Sequence, residues 1–270
     1  MNLVDSHAHL EFDDYTDDIS HVLGRAHDSS VRSILSVSCI NGENDGGELV
    51  SLVKEHSGSP VTINSAFGVH PHDAICWNPQ VSGRIRELCS LNHCVALGEI
   101  GFDFYYKHSP VDIQDRVFRE QIELALELEL PIIVHSRDAD EKTLEVLKSY
   151  YQGDPLPRPG VVHCFTGTLE TAGKILELGF YISFGGMVTF KKADEIRDVV
   201  RYVPLESLLI ETDSPFLAPV PFRGKRNEPA HVSFVAEKIA QLKQVSLEEA
   251  ASVTTSNYNQ LFSQNIPVGF

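Results

Sequence analysis

Short apolar, β-branched runs alternate with longer stretches of helical periodicity along nearly the whole chain. The runs are Leu3–Asp5, Ser33–Val37, Thr62–Phe67, Cys94–Gly98, Ile132–His135, Gly160–His163, Tyr181–Phe184 and Leu208–Glu211. Each is bounded by polar turns, the signature of a buried strand. The intervening stretches Asp17–Ser29, Gly47–His56, Val81–Cys89, Gln114–Leu130, Glu141–Tyr151, Leu169–Leu178 and Ala193–Tyr202 have helical spacing. In the first of them Ile19, Val22, Leu23 and Ala26 share one face. Ser233–Leu242 and Ser246–Thr254 follow the last strand, and Thr168/Thr171 and Ser246/Glu249 are placed to start helices.

Eight strand–helix repeats with near-continuous apolar strands predict a parallel sheet covered by helices. In about 260 residues this is the pattern of a closed (β/α)8 TIM barrel of the α/β class. The competing arrangement, an open doubly wound sheet, lacks support because no Gly-x-Gly-x-x-Gly or P-loop stretch is present. No linker or low-complexity segment divides the chain, so residues 1–270 are expected to form one domain. The loop Pro215–Pro229, with four of the 14 prolines, follows the last strand directly and is expected to be an ordered active-site loop.

Composition narrows this further. Hydrophobic residues make up 42% and charged residues 22%, the balance of a chain that buries a large core. No apolar run approaches the roughly 20 residues of a membrane span, and no basic stretch followed by an apolar one opens the chain as a signal peptide would. Five scattered cysteines (Cys39, Cys76, Cys89, Cys94, Cys164) show no metal-type pairing and predict reduced thiols in a cytoplasmic protein. The net charge of -16 argues against a broad duplex-binding surface, which would be basic.

Barrel enzymes build their sites at the C-terminal ends of the strands, and metal-competent side chains recur there. His7 and His9 follow the first strand, His70 and His72 the third, Glu99 the fourth, His135 the fifth, His163 the sixth, and Glu211 and Asp213 the eighth. Alternation along a strand points His7 and His9 the same way. A lone histidine on a strand is usually a hydrogen-bonded core residue. Together, however, His7, His9, Glu99, His135, His163 and Asp213 make a coherent ligand set. Four imidazoles and two carboxylates exceed one tetrahedral ion and suit two, with Glu99 bridging. Ion one would take His7, His9, Glu99 and Asp213; ion two would take Glu99, His135 and His163. Such pairs serve hydrolytic displacement at phosphorus or carbonyl carbon with a metal-activated water. Asp213 and Glu99 are the expected catalytic groups. Glu211 is expected either to assist proton transfer or to hold a ligand histidine.

These residues also carry a family resemblance. Val4-Asp5-Ser6-His7-Ala8-His9-Leu10, Gly68-Val69-His70-Pro71, Gly98-Glu99-Ile100-Gly101-Phe102-Asp103, Pro131-Ile132-Ile133-Val134-His135-Ser136-Arg137, Val162-His163-Cys164-Phe165-Thr166-Gly167, Leu209-Ile210-Glu211-Thr212-Asp213-Ser214-Pro215 and Arg223-Gly224-Lys225-Arg226-Asn227-Glu228-Pro229 resemble the successive motifs of the TatD family. This is a branch of the amidohydrolase-like metal-dependent hydrolases, and the resemblance is greatest to its YcfH-type members. It runs in order from residue 3 to about residue 262. It implies a (β/α)8 barrel, two divalent ions on the same six ligands, and deoxyribonuclease activity of the 3'-to-5' exonuclease type. A lysine at position 99 would have pointed instead to carbamylated-lysine branches.

A phosphodiester needs positive charge and stacking partners near the metals. His72, Lys107, Arg137 and Arg223 stand just past strand ends; Arg137 is the first choice for a phosphate contact, Arg223 and Lys225 come next, and Tyr105 and Phe165 are candidate stacking rings. An acidic surface with a small cationic patch suits a single-stranded DNA end better than a duplex platform. The alternatives are hydrolysis of a small-molecule or aminoacyl-tRNA ester or amide at the same site, and a non-enzymatic binding scaffold, which would have no need of six ligands. The histidines favour Zn2+, Mn2+, Ni2+ or Fe2+ over Mg2+, and the DNase resemblance favours Mg2+. The sequence points to no membrane or protein partner.

Overall fold

The computed structural model describes residues 1–153 and 159–262. Its strands are β1 (Leu3–Ala8), β2 (Val31–Cys39), β3 (Thr62–Gly68), β4 (Cys94–Asp103), β5 (Ile132–Arg137), β6 (Gly160–Val162), β7 (Tyr181–Phe184) and β8 (Leu208–Ile210). They alternate with α1 (Ile19–Asp28), α2 (Gly47–Glu55), α3 (Pro79–Cys89), α4 (Val111–Glu127), α5 (Asp140–Tyr151), α6 (Leu169–Glu177) and α7 (Asp194–Tyr202), and α8 (Val232–Lys243) and α9 (Leu247–Phe262) follow β8. All strand pairs are parallel and in sequence order. The ring closes at its upper end, where Asp213 N–H donates to the His7 carbonyl and His9 N–H to the Ser214 carbonyl. The fold is the expected (β/α)8 barrel. The expected caps form as well: the Thr168 hydroxyl accepts the Thr171 N–H, and the Ser246 hydroxyl accepts that of Glu249.

Two apolar layers result from strand alternation. Leu3, Ile34, Phe67, Ile132, Val134, Val162, Leu208 and Ile210 pack outward beneath the helices. Val4, Leu35, Val37, Ala66, Ile133, Val161 and Leu209 pack inward, and Tyr258, Leu261 and Phe262 of α9 plug the floor. The inward parity then continues up the strands. Two residues above Ile133 stands His135, two above Val161 stands His163, and two above Leu209 stands Glu211. Alternation with period two therefore turns apolar filling at the bottom into chemistry at the top.

Two strands depart from simple alternation at the site. In β4, Gly98 pairs with Ile133 and Ile100 with Val134, leaving Glu99 as the extra residue of a bulge. Asp5 of β1 pairs with Ile34 and Ala8 with Ser36, a second irregularity that spans His7. Bulges re-aim side chains beside active sites. Glu99 thus stands within β4, which runs five residues past the expected end at Gly98, rather than at a strand terminus. Gly101, at φ +140°, makes this possible: a Cβ there would overlap the His135 carbonyl. Close approach of the two backbones brings Glu99 and His135 together. All five cysteines are free thiols. Among the described residues no helix is long and apolar enough to cross a membrane.

Candidate metal centre

The six expected ligands converge at the upper mouth of the barrel. His7 Nε2 lies 3.3 Å from His9 Nε2. The pair faces Glu99 Oε2 at 3.5 and 4.0 Å, and Asp213 Oδ1 at 3.9 and 3.6 Å. On the other side, His135 Nδ1 and His163 Nε2 are 3.3 Å apart, and each lies 2.7 Å from Glu99 Oε1. His9 Nδ1 meets the Val37 carbonyl at 2.7 Å, an acceptor, so a hydrogen sits there and Nε2 is left to face Asp213 and Glu99, as an N–H when the ring is protonated and as a lone pair when it is neutral. Imidazole nitrogens facing each other at such distances, around a carboxylate, need a proton or a cation between them.

Charge in the cluster follows from these contacts. Burial opposes the Glu99 charge, but His163, His70 and His135 hold its carboxyl well below the usual range. Burial likewise opposes a charge on His9, yet Asp213 and Glu99 push its pKa up to about 9. Burial and the neighbouring His163 keep His7 low.

A second ring of groups fixes these donors. The His7 and His163 rings stack with centroids 4.0 Å apart. Glu211 Oε1 accepts the Cys164 N–H at 2.7 Å and lies 3.5 Å from His163 Nδ1. His7 Nδ1, His163 Nδ1 and Glu211 Oε2 have no other hydrogen-bond partner, and these three residues bring donor atoms within 4.8 Å of one another. Asp103 accepts from His72 Nε2 at 2.8 Å and lies 3.5 Å from His135 Nε2. Its other oxygen accepts the Tyr105 and Tyr106 N–H groups at 2.9 and 2.7 Å. Asp5 is wholly buried and grips Thr212 through its N–H and hydroxyl at 2.8 and 2.5 Å, which sets Glu211 and Asp213 on either side. Burial pushes the Asp5 pKa up to about 8.

The profile of the family described as TatD related DNase matches residues 4–263. The chain belongs to the TatD family of metal-dependent hydrolases. YabD of Bacillus subtilis, named an uncharacterized metal-dependent hydrolase, is 44% identical over 263 residues, 97% of this chain and all of that one. TatD of Rahnella sp., named a 3'-5' ssDNA/RNA exonuclease, is 38% identical over 221 residues, covering 80% of this chain and 82% of the relative. The crystal structure of the Escherichia coli TatD homolog YjjV superposes with a TM-score of 0.88 at 30% identity, over 97% of this chain and 98% of the other.

On the rim of this TatD-family barrel the expected cations divide. Arg137 stands at the end of β5 with its guanidinium 4.4 Å from the Tyr105 ring centroid and 4.8 Å from that of Tyr106. His72 joins the His135 side through Asp103. Arg223 lies elsewhere on the rim, 4.4 Å over Phe190, in the loop after β7. Lys107 and Lys225 are exposed. Phe165 is not a stacking ring: it is 5% exposed and packs toward Phe184. Cys164, at φ +44°, turns the chain so that Phe165 points inward and donates its N–H to Ser183. His70 is a site residue that the six-ligand set leaves out. Its Nε2 lies 3.5 Å from Glu99 Oε1, while its Nδ1 accepts the His72 N–H at 3.2 Å. The hydrogen therefore sits on Nε2, and burial keeps the ring neutral with a pKa pushed down to about 4. The His70-Pro71-His72 spacing was the available signal for it.

The titration of His9 gives a stability prediction. Its pKa rises from 6.5 to about 9 on folding. In metal-free protein the protonated His9–Asp213 pair therefore stabilises fully below pH 6.5 and loses that contribution as pH rises through about 9. Divalent ions bind deprotonated imidazoles and replace that proton. The expected result is a Tm that declines between pH 6.5 and 9 in EDTA but holds in Mn2+. Parallel slopes in thermal denaturation would contradict the assignment.

Proposed function

We propose that this protein is a two-metal phosphodiesterase that removes nucleotides from the 3' end of single-stranded DNA. The observation that carries the two-metal part is the division of Glu99: one oxygen faces His7 and His9, the other faces His135 and His163. His7, His9, Glu99 and Asp213 would hold one ion, and Glu99, His135 and His163 the other. Mutually facing imidazoles and a shared carboxylate fit divalent Zn2+, Mn2+ or Mg2+ in that order of ligand preference. When bound, such ions supply Lewis acidity and water acidified toward neutral pH.

The chain's own groups do the rest. Asp213 is 15% exposed at its side chain, enough to meet water from the mouth, and its carboxylate accepts the proton of the attacking water. His70 presents an N–H toward the Glu99 side, where it donates to a phosphate oxygen. Arg137 gives a flat guanidinium for the next phosphate. Glu211 is wholly buried behind His163 and acts as a positioning residue. Glu211→Gln is expected to lower metal affinity about 10- to 100-fold, measured by calorimetric titration, with kcat at saturating metal nearly kept. Unchanged affinity with kcat lost would make it a direct proton carrier.

The name of the Rahnella relative supports the polarity and strand choice. The test is single-stranded and duplex DNA labelled at either end, beside a panel of esters and amides, with Mg2+, Mn2+ and Zn2+. Early release of the 3' label as mononucleotide is expected. Turnover of an ester or amide with no nucleotide released would install the small-molecule or aminoacyl-ester reading instead.

A further inference from the structure

We propose that Phe216, backed by Phe12, is the platform on which the terminal unpaired base of the substrate strand stacks. This rests on the phosphodiester reading above and adds to it the feature that selects a single strand. The two walls of the mouth differ in kind. Beside the His135 half lie Arg137, Tyr105 and Tyr106, a guanidinium over two hydroxyl-bearing rings. Beside the His9 half lie two phenylalanines. The Phe12 ring stacks on His9 with centroids 5.0 Å apart and planes 22° apart. Phe216 meets Phe12 edge-on at 5.8 Å and His9 at 6.2 Å. A chain of rings thus leads outward from a metal-donor imidazole to Phe216, which is 50% exposed.

The platform is built rather than incidental. Phe216 follows Asp213 by three residues and donates its N–H to the Asp213 carbonyl at 2.9 Å. Its own carbonyl accepts from Asn227 Nδ2 at 2.6 Å, and the same nitrogen reaches the Thr212 carbonyl at 2.9 Å. Asn227 is fully buried. The backbone carrying the ring is therefore locked to the backbone carrying Asp213.

The occupant follows from chemistry. A phosphate held at the donors places its base one sugar away, on one wall or the other. The guanidinium wall suits the next phosphate of the strand, and the uncharged aromatic wall suits a π-face. Stacking on phenylalanine is tolerant of base identity, as an exonuclease requires. A base inside a duplex has both faces covered by its neighbours and cannot use the platform, whereas a terminal or unpaired base can.

The experiment compares a single-stranded oligonucleotide with the same strand ending in an abasic 3' residue, using wild type, Phe216→Ala and Phe216→Trp. Circular dichroism and bound-metal content confirm that the variants are folded and loaded. Phe216→Ala is expected to raise KM for the intact strand roughly 10- to 100-fold, with kcat less affected. The abasic strand should show the higher KM already in wild type and little further change in Phe216→Ala. Phe216→Trp should restore the low KM. Equal effects of Phe216→Ala on both strands, or none on either, would overturn the stacking role alone. A wild-type protein that releases no nucleotide from any oligonucleotide overturns the phosphodiester reading and the platform with it.

Discussion

Glu99→Ala is expected to abolish hydrolysis to within assay background, a fall of at least about 10³-fold in kcat, and to strip metal from the protein. The magnitude follows from what one residue does here. A single group that stabilises transition-state charge is worth about 10²–10³ in kcat; Glu99 faces both imidazole pairs, so on the two-metal proposal both ions would lose a ligand at once. The carboxylate is also the only acid within hydrogen-bond reach of both His135 and His163 among the described contacts, at 2.7 Å each. Without it, those imidazoles and the His7–His9 pair confront one another with no anion between them. On the two-metal proposal, metal analysis should show occupancy falling to one ion or none, with the far-ultraviolet spectrum unchanged. Full metal content with full activity would refute the bridging role.

The barrel and most of its site were legible because both rest on period-two alternation. Ile133 and Val161 fix which parity points inward, and His135 and His163 inherit it, so the candidate ligands follow from the same pattern as the core. The bulge at Glu99 was not legible. It depends on Gly98 pairing with Ile133 and Ile100 with Val134, a register between distant segments that neither segment encodes alone. Asp103 was passed over for a related reason: it reads as an ordinary polar residue at the end of β4 until His72 and His135 arrive from other segments. His70 stood among the strand-end candidates, but nothing in its own segment places it against Glu99.

The aromatic residues show the same limit from the other direction. Phe165 and Phe216 both stand a few residues past a strand end, near a candidate ligand, and composition cannot tell them apart. The left-handed turn at Cys164 buries the first, and the Asn227 lock exposes the second. Backbone conformation, set by contacts 11 or more residues away, decides which ring is exposed at the mouth.

Asp213→Asn is expected to lower kcat about 10²–10⁴-fold, the range for removing a positioned general base, with KM little changed. Burial opposes the Asp213 charge, but His9, His7 and His163 hold its pKa below the usual range. It is therefore a carboxylate throughout neutral pH, ready to accept a proton. The same oxygen lies 3.6 Å from His9 Nε2, so a ligand role alone could also explain lost activity. The two roles separate by metal titration and pH. If Asp213 only binds metal, saturating Mn2+ restores Asp213→Asn to near wild-type kcat. If it also takes the proton, saturating metal restores occupancy and leaves kcat low, and the variant's rate climbs with pH as solvent hydroxide substitutes for the missing base. The amide keeps the carboxylate's shape, so the left-handed backbone at Asp213, φ +55°, is tolerated by asparagine as by aspartate. A large loss of Tm in this variant would therefore trace to the His9 pair and not to strain, and its dependence on EDTA would show which.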